Sequence, residues 1–220
     1  MQKAFIFDID GVLINSEPFW ENAKEKIYLN LLGKEIREKM GSTIGLDMNG
    51  IYKKARALGS TVEKKKLFDA FYAAAPHIYQ DAPLTPGLEK LEKELSQHDY
   101  LIGLVSASPQ QWTSLAVSRL PFKKNIKVIV SLTGRPTLAH KPAPDGYIEA
   151  MKKLGTTPRH TIILEDSNAG IMSAKSSKAF TIGFKENLIK GYEQKGADTY
   201  ANTMEEVIKI IKTLDWHLTL

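Results

Sequence analysis

An α/β fold built on a parallel sheet is predicted by three observations. Short apolar runs recur along the chain, amphipathic helical segments separate them, and one long interval carries helices without a strand. The first run, residues 4–7, ends in the turn Asp8-Ile9-Asp10-Gly11 and has the continuous hydrophobicity of a strand buried on both faces. Runs of the same kind follow at 100–105, 126–130, 161–164 and 179–182. Between them Leu88, Leu91 and Leu95 form a helical stripe that opens after Pro86-Gly87. A second stripe is read at Ile148, Met151 and Leu154, stopped by Gly155, and a third at Val207, Ile208, Ile211 and Leu214. Strands alternating with helices of this length imply βαβ crossovers.

The interval 17–82 breaks the alternation. Its patterning predicts helices over 19–32, 48–58 and 63–79. The expected organisation is therefore a core of residues 1–15 and 83–220, with residues 16–82 inserted as a helical subdomain. The insertion accounts for a length of 220 residues, which sits between one domain and two. Lys64-Lys65-Lys66 reads as a solvated helix face.

Composition narrows the function classes. Apolar residues make up 43% and charged residues 25%, as in an ordinary globular protein, so collagenous and disordered chains are excluded. With no cysteine there can be no disulfide framework, thiolate metal site or cysteine nucleophile. The net charge of +5 comes from lysines scattered over helices, without the basic stripe and interleaved aromatics of a nucleic-acid binder. No apolar stretch is long enough to span a membrane, and no leader is evident, so a cytoplasmic protein without nucleic-acid or membrane partners is expected.

In an open parallel sheet, ligands bind beyond the carboxyl ends of the strands. Asp8 and Asp10 follow the first strand, Ser106-Ala107-Ser108 the second and Glu165-Asp166 the fourth, while Lys141-Pro142 precedes a helix. Taken singly, each carboxylate could be a turn former, and Ser106 or Ser108 could cap the helix beginning near Gln110. Several carboxylates converging in one crevice would repel one another unless a cation sits among them. Hard oxygen donors suit Mg²⁺, and a lysine with a hydroxyl beside them suits a phosphate. Phosphoryl transfer needs that pairing.

These segments resemble the four motifs of the haloacid dehalogenase (HAD) superfamily. Phe7-Asp8-Ile9-Asp10-Gly11-Val12-Leu13 is similar to the first, and Ser106 in Leu104-Val105-Ser106-Ala107-Ser108 to the second. Lys141 in Lys141-Pro142-Ala143-Pro144-Asp145 matches the third, and Glu165-Asp166-Ser167-Asn168-Ala169-Gly170-Ile171 the fourth. The resemblance implies a Rossmann-like core with strand order 5-4-1-2-3. It also implies that the insertion is a C1 cap of the β-phosphoglucomutase-like and sugar-phosphatase branch. Asp8 would be the nucleophile and Asp10 the general acid and base. Ser106, Ala107 and Lys141 would bind the phosphoryl group. Asp8, Asp10 (through its carbonyl), Glu165 and Asp166 would surround Mg²⁺, Glu165 as a ligand or one step behind it.

Cap residues Trp20, Asp47 and Met48 are expected to touch the substrate, with packing in the cap core as the other reading of Trp20. β-Phosphoglucomutases usually carry a histidine where Trp20 stands and an arginine in the loop corresponding to Gly45-Leu46-Asp47-Met48, which this chain lacks. Asn15 stands where many relatives have aspartate. The expected protein is a monomeric phosphatase of small phosphorylated metabolites, sugar phosphates above all. The alternative is a phosphomutase of the β-phosphoglucomutase kind.

Overall fold

The computed structural model describes residues 2–43 and 46–218. Gly45, in the loop compared above with the mutases, lies outside them. The chain forms two compact units, one of residues 1–15 and 83–220, the other of residues 16–82.

The larger unit is a parallel sheet flanked by helices. Its strands are β1 (Lys3–Phe7), β2 (Tyr100–Pro109), β3 (Ile126–Thr133), β4 (Thr161–Glu165), β5 (Phe180–Phe184) and β6 (Thr199–Ala201). They lie in the order β3-β2-β1-β4-β5-β6, and every pairing is parallel. The predicted order 5-4-1-2-3 is thus present, with β6 added at the outer edge of β5. That strand has three residues, Thr-Tyr-Ala, and gives no apolar run to read.

β1 is central because four of its five residues are buried on a strand paired on both sides. Alternation sends Ala4 and Ile6 to one face, where they cluster with Val105, Val130, Ile163 and Tyr147. Phe5 and Phe7 point the other way, towards Tyr100 and Phe122 at centroid distances of 6.5 and 6.1 Å. Phe7 is level with Leu104 on β2 and with Leu164 on β4. Asp8, the first residue beyond β1, therefore comes level with Glu165, the last residue of β4, at the carboxyl edge of the sheet.

The unit also holds α5 (Leu88–Gln97), α6 (Gln110–Arg119), α7 (Asp145–Leu154), α8 (Asn168–Ser176) and α9 (Met204–Leu218). Leu88, Leu91 and Leu95 are buried on α5, and Gly155 ends α7 in the left-handed conformation, both as read from the sequence. The α7 stripe needs correcting. The side chains facing the sheet include Tyr147, Ala150, Met151 and Leu154, while Ile148 is 49% exposed. The buried face is turned by one residue because Tyr147, with its polar hydroxyl, takes the inward position beside Ile148.

The smaller unit contains α1 (Glu17–Leu31), α2 (Lys34–Met40), α3 (Met48–Ala57) and α4 (Lys64–Asp81). α2 was not foreseen, since Met40 is its one buried side chain. Lys64, Lys65 and Lys66 are all exposed on α4. The core gathers aromatics: Trp20 lies 6.3 Å from Phe71 and 6.2 Å from Tyr79, and Tyr28 6.4 Å from Phe71.

Tyr28 is 2% exposed, with its hydroxyl 3.2 Å from Thr43 Oγ1. Burial pushes its phenol up to about 12. An unfolded tyrosine titrates near 10, so the fold favours the protonated form. Its contribution is complete below pH ~10 and should be lost as the pH rises through about 12, at a cost of about 2 kcal/mol. Urea unfolding of wild type and Tyr28→Phe from pH 8 upward should show the wild type declining more steeply above pH ~10. Parallel curves would refute the assignment.

Candidate active site

The carboxyl edge of the sheet carries the charged residues picked out above. Asp8 follows β1 directly, its N–H donating to the carbonyl of Leu164 at 3.0 Å, and Glu165 is the last residue of β4. Both are buried, at 6% and 0% exposure. The Lys141 ammonium lies between them, donating to Asp8 Oδ1 at 2.5 Å and also to Glu165 Oε1. Asp166 completes a group in which one ligand oxygen from each of Asp8, Glu165 and Asp166 lies within 4.8 Å of the others.

The turn after β1 makes this approach feasible. Gly11 has φ +77°, a region that costs glycine little. A Cβ there would sit 2.0 Å from Asp166 Oδ2, so a side chain would displace the carboxylate. The turn is pinned by distant residues. Asn187 Nδ2 donates to the Gly11 carbonyl at 3.1 Å and to Thr85 Oγ1 at 2.7 Å, and the Thr85 hydroxyl donates to the Val12 carbonyl at 2.6 Å.

Electrostatics follow from burial. Desolvation raises Asp8 well above the usual carboxylate range; Lys141 pulls it back in part, while Glu165 and Asp10 push it further up. Burial works against the charge on Lys141, but Asp8 and Glu165 outweigh it and hold the ammonium well above its ordinary value. Two carboxylates thus pair with one lysine, and a third, Asp166, lies beside them. The surplus negative charge and the all-oxygen donor set suit a hard divalent cation.

On the β2 side, Ser106 is 1% exposed and its Oγ accepts from Ser108 N at 3.0 Å. Ser108 Oγ donates to Asp10 Oδ2 at 2.9 Å. Neither serine caps α6, whose N-cap residue is Pro109 without a side-chain cap. Ala107 is exposed, and its carbonyl accepts from Thr133 Oγ1 at 2.7 Å.

A family model for haloacid dehalogenase-like hydrolases matches residues 5–184. The chain belongs to that family. It is 28% identical over 184 residues to hexitol phosphatase B of Escherichia coli K12, covering 81% of this chain and 82% of that protein. It is 26% identical to β-phosphoglucomutase of Bacillus subtilis, covering 97% of this chain and 95% of the mutase. A hydrolase from Pseudomonas syringae superposes with a TM-score of 0.77 at 18% identity, covering 97% of this chain and 99% of the other, which shows the shared fold.

Within this haloacid dehalogenase-like site, Glu165 is saturated. Its Oε1 accepts from Lys141 and, at 2.8 Å, from the buried Tyr147 hydroxyl; its Oε2 accepts from Ser167 N at 3.1 Å and Ser167 Oγ at 3.2 Å. Four donors fill the acceptor positions of one carboxylate. Glu165 therefore anchors the lysine, and Asp8 and Asp166 are the carboxylates better placed to ligate a cation. Sequence reasoning missed Tyr147, Ser167 and Asn187; Tyr147, two residues past Asp145, was the one signalled by its helical spacing.

The residues singled out in the smaller unit have local roles there. Trp20, 6% exposed, packs in its aromatic core. Asp47 is the N-cap of α3, its Oδ1 accepting from Gly50 N at 2.7 Å, and Met48 is the first residue of that helix.

Proposed function

We infer that this chain is a Mg²⁺-dependent phosphatase of small phosphorylated metabolites, sugar phosphates above all, working through an aspartyl-phosphate. The observation that carries this reading is the buried Asp8–Lys141–Glu165 ion pairing, with Asp166 beside it and Asp10 two residues along the turn. The named activity of the hexitol phosphatase relative supports hydrolysis of a polyol or sugar ester.

A carboxylate oxygen of Asp8 attacks phosphorus in line with the leaving oxygen, forming the O–P bond of the acyl phosphate as the ester P–O bond breaks. Asp10, held by Ser108, donates its proton to the departing alkoxide, which leaves as an alcohol. Asp10 then takes a proton from water as the water oxygen attacks phosphorus, releasing phosphate and restoring the Asp8 carboxylate. Lys141, kept charged by its two carboxylates, would hold phosphoryl oxygens together with Ser106 and the Ala107 amide. Bound Mg²⁺, held by Asp8, Asp166 and the Asp10 carbonyl, would neutralise charge on the transferring group.

Purified protein should release phosphate from hexitol and hexose phosphates in the presence of Mg²⁺, and EDTA should abolish the release. Glucose 1-phosphate separates hydrolysis from mutase chemistry. Free phosphate is expected, and accumulation of glucose 6-phosphate would point to the mutase. Absence of metal-dependent turnover across sugar phosphates, nucleotides and phosphoglycolate would refute the enzyme reading.

A further inference from the structure

We propose that residues 192–195, outside all four motif segments, form a clamp that positions Asp166 for divalent-cation binding. The proposal rests on reading the acidic group as a metal site.

Asp166 and Asn168 follow β4, where the backbone has left the sheet and α8 has just begun. Their polar groups need partners from elsewhere, and one short segment supplies them. Gln194 Nε2 donates to the Asp166 carbonyl at 2.5 Å and to the Phe184 carbonyl, at the end of β5, at 2.7 Å. Asn168 is held three ways. Its N–H donates to Tyr192 Oη at 2.8 Å, its Nδ2 donates to the Glu193 carbonyl at 2.8 Å, and its Oδ1 accepts from Lys195 N–H at 2.8 Å. Five hydrogen bonds thus tie the metal-side loop and the end of β5 to four consecutive residues.

The fold makes room for this contact. A Cβ on Gly183 would meet Tyr200 at 2.5 Å and Gln194 Oε1 at 3.0 Å, so glycine there lets the Gln194 amide lie against the sheet edge. The physical need is clear. Asp166 must stay beside Asp8 and Glu165 while no cation offsets their repulsion, in the space that Gly11 leaves by carrying no side chain. Gln194 is therefore a positioning residue acting directly on the Asp166 backbone, and Tyr192 acts one step further off, through Asn168 two residues along the same loop. Partners of this kind set metal affinity by fixing the orientation of the ligand they support.

The test is Mg²⁺ binding by isothermal titration on the full chain, with unfolding temperature measured separately in EDTA. Gln194→Ala should raise the Mg²⁺ Kd about tenfold. Tyr192→Phe, which removes one acceptor and is expected to fold, should raise it by a smaller factor of roughly three. Asp166→Asn is the control for the underlying reading and should abolish binding. If Asp166→Asn loses Mg²⁺ while both clamp variants bind within twofold of wild type, the clamp is refuted and the metal site stands. If wild type binds no Mg²⁺, or Asp166→Asn binds it as wild type does, the metal reading fails and the clamp with it. A lower unfolding temperature in EDTA with unchanged Kd would mark a merely structural role and also overturn the proposal.

Discussion

Asp8→Asn should lower phosphate release by about 10⁴-fold or more while leaving the protein folded. The substitution is nearly isosteric, and the amide oxygen can still accept from Lys141. Lys141 also keeps Glu165 as a counter-ion, so its buried charge is not orphaned. Desolvation already disfavours the ionised form of Asp8, and replacing it with a neutral group removes part of that penalty. The unfolding free energy should therefore change by no more than about 1 kcal/mol. What disappears is the anionic oxygen that forms the bond to phosphorus. Asp10→Asn makes the complementary case: the nucleophile remains, but the proton for the leaving alkoxide does not. Its loss should be greatest for alkyl phosphates and smaller in kcat/KM for p-nitrophenyl phosphate, whose leaving group departs without a proton. Near-normal turnover by Asp8→Asn would remove Asp8 from the chemistry altogether.

The strands could be read in advance because a buried parallel strand must be apolar on both faces, and residues 4–7 and 162–164 are. β6 could not, because an edge strand of three residues buries one side chain and requires no pattern. α2 escaped for the same reason. The charged residues at the sheet edge stood out because strand ends are punctuated by turns, and acids are conspicuous there. Their supports did not stand out. Thr85 holds a carbonyl 73 positions away, and Asn187 one 176 positions away, through hydrogen bonds that no local pattern encodes. For Ser108 the sequence leaves a helix cap open beside a role in the site. Pro109 took the N-cap position, and the hydroxyl turned instead to Asp10.

Gly170→Ala should be the most damaging alanine substitution among the described glycines. By helix propensity alone it would stabilise α8 by up to about 1 kcal/mol. The site reverses that sign. A Cβ at position 170 would lie 1.8 Å from Glu165 Oε1, 2.0 Å from its Cδ and 2.1 Å from Oε2, on top of the carboxylate. Glu165 has no solvent to move into and no slack in its bonds, being fully buried and held by Lys141, Tyr147 and Ser167. Moving it strands a buried lysine and a buried phenol, a loss of about 3 kcal/mol or more. For a chain of this size the unfolding temperature should fall by roughly 6–12 °C, and phosphatase activity should fall with it. Gly155→Ala is the contrast. That glycine has φ +67° with no atom within 4 Å of a built Cβ, so the change should cost only about 1 kcal/mol of backbone strain and spare activity. Glu165→Asp combined with Gly170→Ala gives the decisive measurement. The shorter acid withdraws from the added methyl, so the double variant should be less destabilised than the sum of the two single changes. Strict additivity would show that the methyl and the carboxylate do not compete for the same space.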